Sequence, residues 1–163
     1  RKAQTLARTA FRPVMPPSGG KRAMPEKLKT SCVDHVSIAV KNLKNAEEDL
    51  KRVFGREPDG RYKDRDENIS VVYFMVGPTA VEIMEDLDGT GEVAKFIEKH
   101  GEGVMVLSFR VGSVTESLDV LSGNGALLLD RKPRYAKELK RRFAFLHPKQ
   151  FHGVLAEIID GEY

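Results

Sequence analysis

The residues best suited to chemistry are one histidine and two glutamates, each on a stretch that reads as a β-strand. His35 lies in DHVSIAV, where alternation puts His35, Ser37 and Ala39 on one face and Val36, Ile38 and Val40 on the other. Glu82 lies in TAVEIME and Glu157 in VLAEI, at an offset of 75. Imidazole nitrogen and carboxylate oxygen converging from alternating strands are what an open divalent-metal site requires. A second chemical signal is positive charge. DRKPRYAKELKRR gathers Arg131, Lys132, Arg134, Lys137, Lys140, Arg141 and Arg142, a set suited to phosphate, RNA backbone, anionic lipid or an acidic subunit, or else to a solvated face. Tyr135 is the only aromatic in that run, and no RNP-like or zinc-knuckle pattern supports sequence-specific nucleic-acid reading.

The elements that must position these residues repeat along the chain. His35 to Val40 aligns with Val106 to Val111 at an offset of 71, which matches Ser37 with Ser108. Helical spacing of Leu43, Ala46, Leu50, Val53 and Phe54 follows the first strand and stops at Gly55. Val114, Leu118 and Leu121 follow the second, opened by a Ser113–Glu116 capping box and closed by Gly123-Asn124-Gly125. SVVYFMV and TAVEIME are strands joined at Gly77-Pro78, with room for another near residues 58–64. EVAKFIEKHG reads as a short helix joining the halves, with Val93, Phe96 and Ile97 buried and His100 near its end. The expected class is α+β, two tandem βαβββ modules forming a cupped mixed sheet. Module one spans about 33–88, the linker helix 91–101 and module two about 103–160, after a basic extended tail over 1–32.

Composition bounds the function. The first 30 residues carry +7 and the other 133 carry −4, within a total of +3. The acid-poor, Arg-rich opening resembles a mitochondrial targeting or post-cleavage segment and implies a mitochondrial matrix location, the alternative being an expression leftover or a disordered basic arm. It is also the expected contact to other subunits of a larger assembly. No apolar run is long enough to span a bilayer as a helix. The lone Cys32 excludes an intrachain disulfide and is expected to be inert.

DHVSIAV, TAVEIME, LLLDRKPR and FLHPKQFHGVLAEI together resemble methylmalonyl-CoA epimerases of the vicinal oxygen chelate superfamily over residues 33–160. The resemblance implies one divalent ion, of cobalt, nickel or manganese type, chelating vicinal oxygens of a CoA thioester while acids move the proton alpha to the thioester. It places metal ligands at His35, Glu82 and Glu157, with the remaining ligand position at Val106, where the family usually has histidine. The acid-base pair it suggests is Glu67 and Glu157, and the basic cluster would then meet CoA phosphates. Arg110, four residues after Val106 on the same face, is expected to bridge Glu82 and Glu157 in place of the metal. His147 and His152 are expected to serve the turn that carries them. The favoured expectation is a non-catalytic structural or accessory subunit needing no cofactor. The alternative is a metal-dependent epimerase with an incomplete three-ligand site.

Overall fold

The structure, a computed structural model, describes residues 24–163. Module one contains β1 (Thr30–Ala39), α1 (Leu43–Phe54), β2 (Gly60–Asp64), β3 (Ile69–Val76) and β4 (Thr79–Asp86). A linking helix, α2 (Glu92–His100), leads to β5 (Gly103–Val111), α3 (Val114–Gly123), β6 (Arg134–Ala136), β7 (Arg141–Leu146) and β8 (Leu155–Ile159). The eight strands form one sheet in the order β2-β3-β4-β1-β5-β8-β7-β6. Counted outward from the middle, each half runs first, fourth, third, second strand, which is the repeat expressed in space. β1 and β5 pair antiparallel at the centre, while β1–β4 and β5–β8 are parallel.

Local chemistry fixes the helices. Asn42 caps α1 by accepting the Asn45 amide at 2.9 Å, and Gly55 ends it in the left-handed region with φ 66°. Ser113 caps α3 by accepting the Glu116 amide. Leu43, Ala46, Leu50 and Phe54 pack on Val40, Val72, Phe74 and Ile83, which covers the outer face of module one. Val53 is 77% exposed and does not join that stripe, because residues at this helix angle face water. On module two, Val114, Leu118 and Leu121 are buried against Ala144, Ala156 and Ile158. Of the α2 residues, Val93 is buried and Phe96 and Ile97 are partly buried.

The opposite, concave face holds an apolar cluster of Ala39, Val71, Met84, Val93 and Val106, with Tyr62, Ile69, Phe145 and Leu155 packed on it. These side chains come from both modules, so the cup is filled there with hydrophobic core. Its two rims are joined by ion pairs: Lys137 meets Asp66 at 2.7 Å and Arg134 meets Glu67 at 3.0 Å. No helix among the described residues is long and apolar enough to cross a membrane.

The expected tail boundary at residue 32 falls inside β1, since Thr30 already pairs with Val111. Just upstream, the Glu26 amide donates to Asn124 and the Glu26 carbonyl accepts from it, while Leu28 packs against the module-two core. Of the basic stretch over 1–32 that is expected to be held by a partner, residues 1–23 lie outside the described ones.

Candidate functional site

Register brings the chemistry-bearing residues together. β1 and β4 place Ser37 beside Glu82, and β5 and β8 place Ser108 beside Glu157. Each serine hydroxyl donates to its glutamate at 2.6 Å, so the two halves carry the same Ser–Glu pair. Across the centre, His35 lies opposite Ser108 and Val106 opposite Ser37. Val106 therefore occupies in module two the position that His35 occupies in module one. It is only 7% exposed and belongs to the apolar cluster.

His35 Nε2 sits 3.4 Å from Glu157 Oε1 and 3.9 Å from Glu82 Oε2, and all three side chains are buried. Its other nitrogen, Nδ1, lies 3.0 Å from Asp34 Oδ1. Since Arg141 makes Asp34 a carboxylate acceptor, Nδ1 carries the proton donated to it. Burial by itself would lower the His35 pKa. The charges of Glu82 and Glu157 and the bond to Asp34 outweigh burial and lift it to about 9. Burial raises Glu157 to about 7, against the opposing pull of His35 and Ser108. At neutral pH an imidazolium thus stands between two carboxyl groups.

Asp34, at 0% exposure, anchors this arrangement. Arg141 grips it with two bonds, Nη1 to Oδ1 at 2.9 Å and Nη2 to Oδ2 at 2.6 Å, and Arg110 Nε adds a third at 2.7 Å. Although burial opposes its charge, the bonds from His35, Arg141 and Arg110 hold the carboxyl well below the usual aspartate range.

Two further groups close over Glu82. The hydroxyls of Tyr62, at 2.9 Å, and Tyr163 both donate to Oε1, while Ser37 takes Oε2. Burial and the charge of Glu82 keep both phenols protonated.

Several expectations change here. Arg110 does not bridge Glu82 and Glu157; it points to Asp34 and the Pro78 carbonyl, and His35 is the cation between the two acids. Arg141 is not a surface contact for a partner or phosphate, because it is 3% exposed and committed to Asp34. Arg134 is engaged by Glu67 and Asp130 and lies over the Phe145 ring, whereas Arg131, Lys132, Lys140 and Arg142 face solvent. The dense basic run is therefore split by the β6–β7 alternation. Glu67, suggested as an acid-base residue, sits in the β2–β3 turn bound to Arg134 and takes no part in the His35 cluster. His147 caps the Pro148–Phe151 3-10 turn, and His152 ends it with φ 52°.

Asp34, Tyr62, Tyr163 and the two serines were not identified as site residues from sequence. The Ser37–Ser108 match in the repeat was the available signal for the serines. Asp34 was visible as the only acidic residue of β1, whereas nothing in the local pattern announced Tyr163.

Tested against a four-ligand metal centre, the donor set does not fit. Val106 puts an aliphatic wall at the symmetry-related position, and both oxygens of Glu82 already accept hydroxyl protons. Among the described residues no group of three or more His, Cys, Asp or Glu side chains is arranged to hold an ion.

The profile of the Glyoxalase/Bleomycin resistance protein/Dioxygenase superfamily matches residues 34–145. The chain belongs to this glyoxalase superfamily. Among its relatives, the uncharacterized protein YqjC of Bacillus subtilis (strain 168) is 30% identical over 128 residues, covering 78% of this chain and 91% of that one. The ethylmalonyl-CoA/methylmalonyl-CoA epimerase of Cereibacter sphaeroides is 27% identical, covering 77% of this chain and 95% of that protein. The crystal structure of methylmalonyl-CoA epimerase from Mycobacterium tuberculosis superposes with a TM-score of 0.77 at 27% identity, covering 86% and 94% of the two chains. This glyoxalase-superfamily chain is thus similar to methylmalonyl-CoA epimerases, and the expected paired-module fold is the observed one.

The serine bonds carry a measurable prediction. Ser108→Ala removes a hydroxyl from a buried carboxyl and should cost about 1.5–3 kcal/mol, the usual scale for a hydrogen bond to a charged group. Urea denaturation of parent and variant measures it. A change below about 0.5 kcal/mol, the scatter of neutral surface substitutions, would show the 2.6 Å contact to be energetically idle.

Proposed function

We propose that this glyoxalase-superfamily protein has exchanged metal-centred catalysis for an internal ion cluster and serves as a structural or accessory subunit of a mitochondrial multiprotein assembly. The observation that carries the reading is the closure of the three remaining ligand positions on one another. His35 supplies the positive charge between Glu82 and Glu157, and Ser37, Ser108, Tyr62 and Tyr163 take up carboxylate oxygens. The mitochondrial part rests on the basic, acid-poor composition of the first 30 residues. Partner contacts fall to that stretch and to the solvent-facing Arg131, Lys132, Lys140 and Arg142, with an acidic subunit as the partner and RNA or anionic lipid as alternatives.

A second reading keeps an epimerase activity, and the state of Glu157 favours it. A carboxyl raised to about 7 can accept or donate a proton at neutral pH, as transfer alpha to a CoA thioester requires. In this reading a divalent cobalt, nickel or manganese ion would rest on His35, Glu82 and Glu157 alone, against the donor geometry described above.

One experiment separates them. The purified protein is incubated with methylmalonyl-CoA in D2O, with and without added cobalt, and deuterium at the alpha carbon is followed by mass spectrometry. The accessory-subunit reading expects exchange at the buffer rate in both samples. Enzyme-dependent exchange, or tight stoichiometric cobalt, nickel or manganese in the isolated protein, overturns it.

A further inference from the structure

The segment after β8 makes a turn that the ion cluster alone does not require. Asp160 pairs with Arg142 through both backbone and side chain, and Gly161 then turns with φ 77°. Gly161 and Glu162 face solvent while Tyr163 returns over the concave face and is partly buried. Arg141 holds this turn by donating to the carbonyls of Asp160 at 2.8 Å and Gly161 at 3.1 Å.

The Tyr163 ring enters surroundings built for an arene. Tyr73 meets it edge-on with centroids 4.4 Å apart, the His35 ring lies at 6.2 Å in a T-shaped arrangement, and the Arg141 guanidinium stands 5.7 Å from its centroid. Aromatic edges and a guanidinium favour a π-face over an aliphatic chain. At the inner end, the hydroxyl donates to Glu82 Oε1, where the Tyr62 hydroxyl also bonds. A carboxylate there accepts from a neutral O–H and repels an anion, which disfavours aryl carboxylates and phenolates.

We propose that the concave face contains a hydroxyaryl-binding slot, formed by Tyr73, His35, Arg141, Tyr62 and Glu82, whose seated occupant is Tyr163 and whose exchangeable ligands are small neutral phenols. Tyr163 acts as an internal stopper, and a phenol reaches Glu82 when the Tyr163 ring leaves the slot through rotation at the Gly161 turn. The inference rests on the metal-free, closed cluster proposed above, and goes beyond it by assigning the slot a ligand class.

The test uses p-cresol and toluene as probes, with ligand-observed NMR and calorimetry in EDTA buffer, so the outcome does not depend on metal. Tyr163→Ala should bind p-cresol at least about tenfold tighter than the parent does, and at least about tenfold tighter than it binds toluene, since toluene lacks the donor for Glu82. Tyr163→Phe, which keeps the ring in place, should bind p-cresol no better than the parent. Equal affinity for the two probes in a cooperatively melting Tyr163→Ala variant overturns the proposal, as does no gain over the parent. If that variant does not fold, the parent carrying ring-labelled tyrosine is titrated with p-cresol. Movement of the Tyr163 ring resonance toward its solvent-exposed position supports displacement, and an unmoved resonance at saturating p-cresol refutes it. Metal found in the isolated protein would overturn the function proposed above yet leave this EDTA titration readable on its own.

Discussion

Replacing Asp34 with alanine is expected to destabilise the fold by about 3–5 kcal/mol, the range found when one partner of a buried ion pair is removed. The size follows from what the carboxylate holds. Arg141 is almost wholly buried and gives Asp34 two bonds, Arg110 gives a third and His35 contributes its Nδ1 proton. Removing Asp34 leaves a guanidinium in the interior with only the carbonyls of Asp160 and Gly161 as acceptors. Urea denaturation followed by circular dichroism measures the loss. A drop below about 1 kcal/mol, typical of an exposed pair, would mean that water reaches the site. The double variant Asp34→Leu with Arg141→Met removes both charges and should recover most of the loss, because buried ion pairs often tolerate apolar replacement.

The same pair gives a pH dependence with a definite sign. The folded-state pKa of Asp34 is depressed, so its contribution is fully present above the unfolded-state value near 3.9. That contribution falls as pH drops below this value toward the lower folded-state pKa. Parent stability should therefore decline on acidification more steeply than that of Asp34→Ala. Parallel slopes for the two proteins between roughly pH 4 and 2 would remove Asp34 as a source of acid sensitivity.

The architecture was legible because the repeat constrains it twice. Matching His35 to Val106 and Glu82 to Glu157 at nearly equal offsets predicts two similar half-sheets, and the strand order repeats about the β1–β5 seam. Strand alternation also put His35, Ser37 and Ala39 on one face, and all three are buried there. Side-chain partners were less accessible. Arg110 was assigned to Glu82 and Glu157 by its face alone, but face does not determine reach along the sheet. It lies two residues beyond Ser108 and so stands nearer Asp34. Arg141 looked like one more surface cation until strand β7 turned it inward, since a three-dimensional partner 107 positions away leaves no local pattern. Tyr163 likewise reaches Glu82 from 81 positions away through a turn at Gly161. The repeat thus specifies backbone and the serine–glutamate pairs. The features that distinguish this chain break the repeat, and symmetry could not predict them.

Restoring the missing symmetry tests directly whether Val106 is what keeps a metal ion from this site. Val106→His places an imidazole at the position related to His35, beside Ser37 and facing the same concave interior. Without metal the variant should be less stable than the parent by about 1–3 kcal/mol, because a polar ring enters the cluster of Ala39, Val71, Met84 and Val93. With cobalt added, the order should reverse. A site that gains its fourth donor binds the ion in the folded state only, so cobalt at about 100 times the dissociation constant stabilises it by about 2.7 kcal/mol. Thermal melting with cobalt and after EDTA reads the effect, and metal analysis gives the stoichiometry. The parent should melt at one temperature in both conditions, with Val106→His alone showing an EDTA-reversible rise. Unchanged melting in both proteins would locate the obstacle elsewhere, in the hydroxyls of Tyr62 and Tyr163 that occupy Glu82. Adding Tyr163→Phe to Val106→His then frees one lone pair on that carboxylate, and cobalt uptake in the double variant alone would assign the block to the tyrosine. Tight cobalt binding by the parent would instead show that His35, Glu82 and Glu157 suffice as ligands, and the internal ion cluster would be the resting form of a metal site.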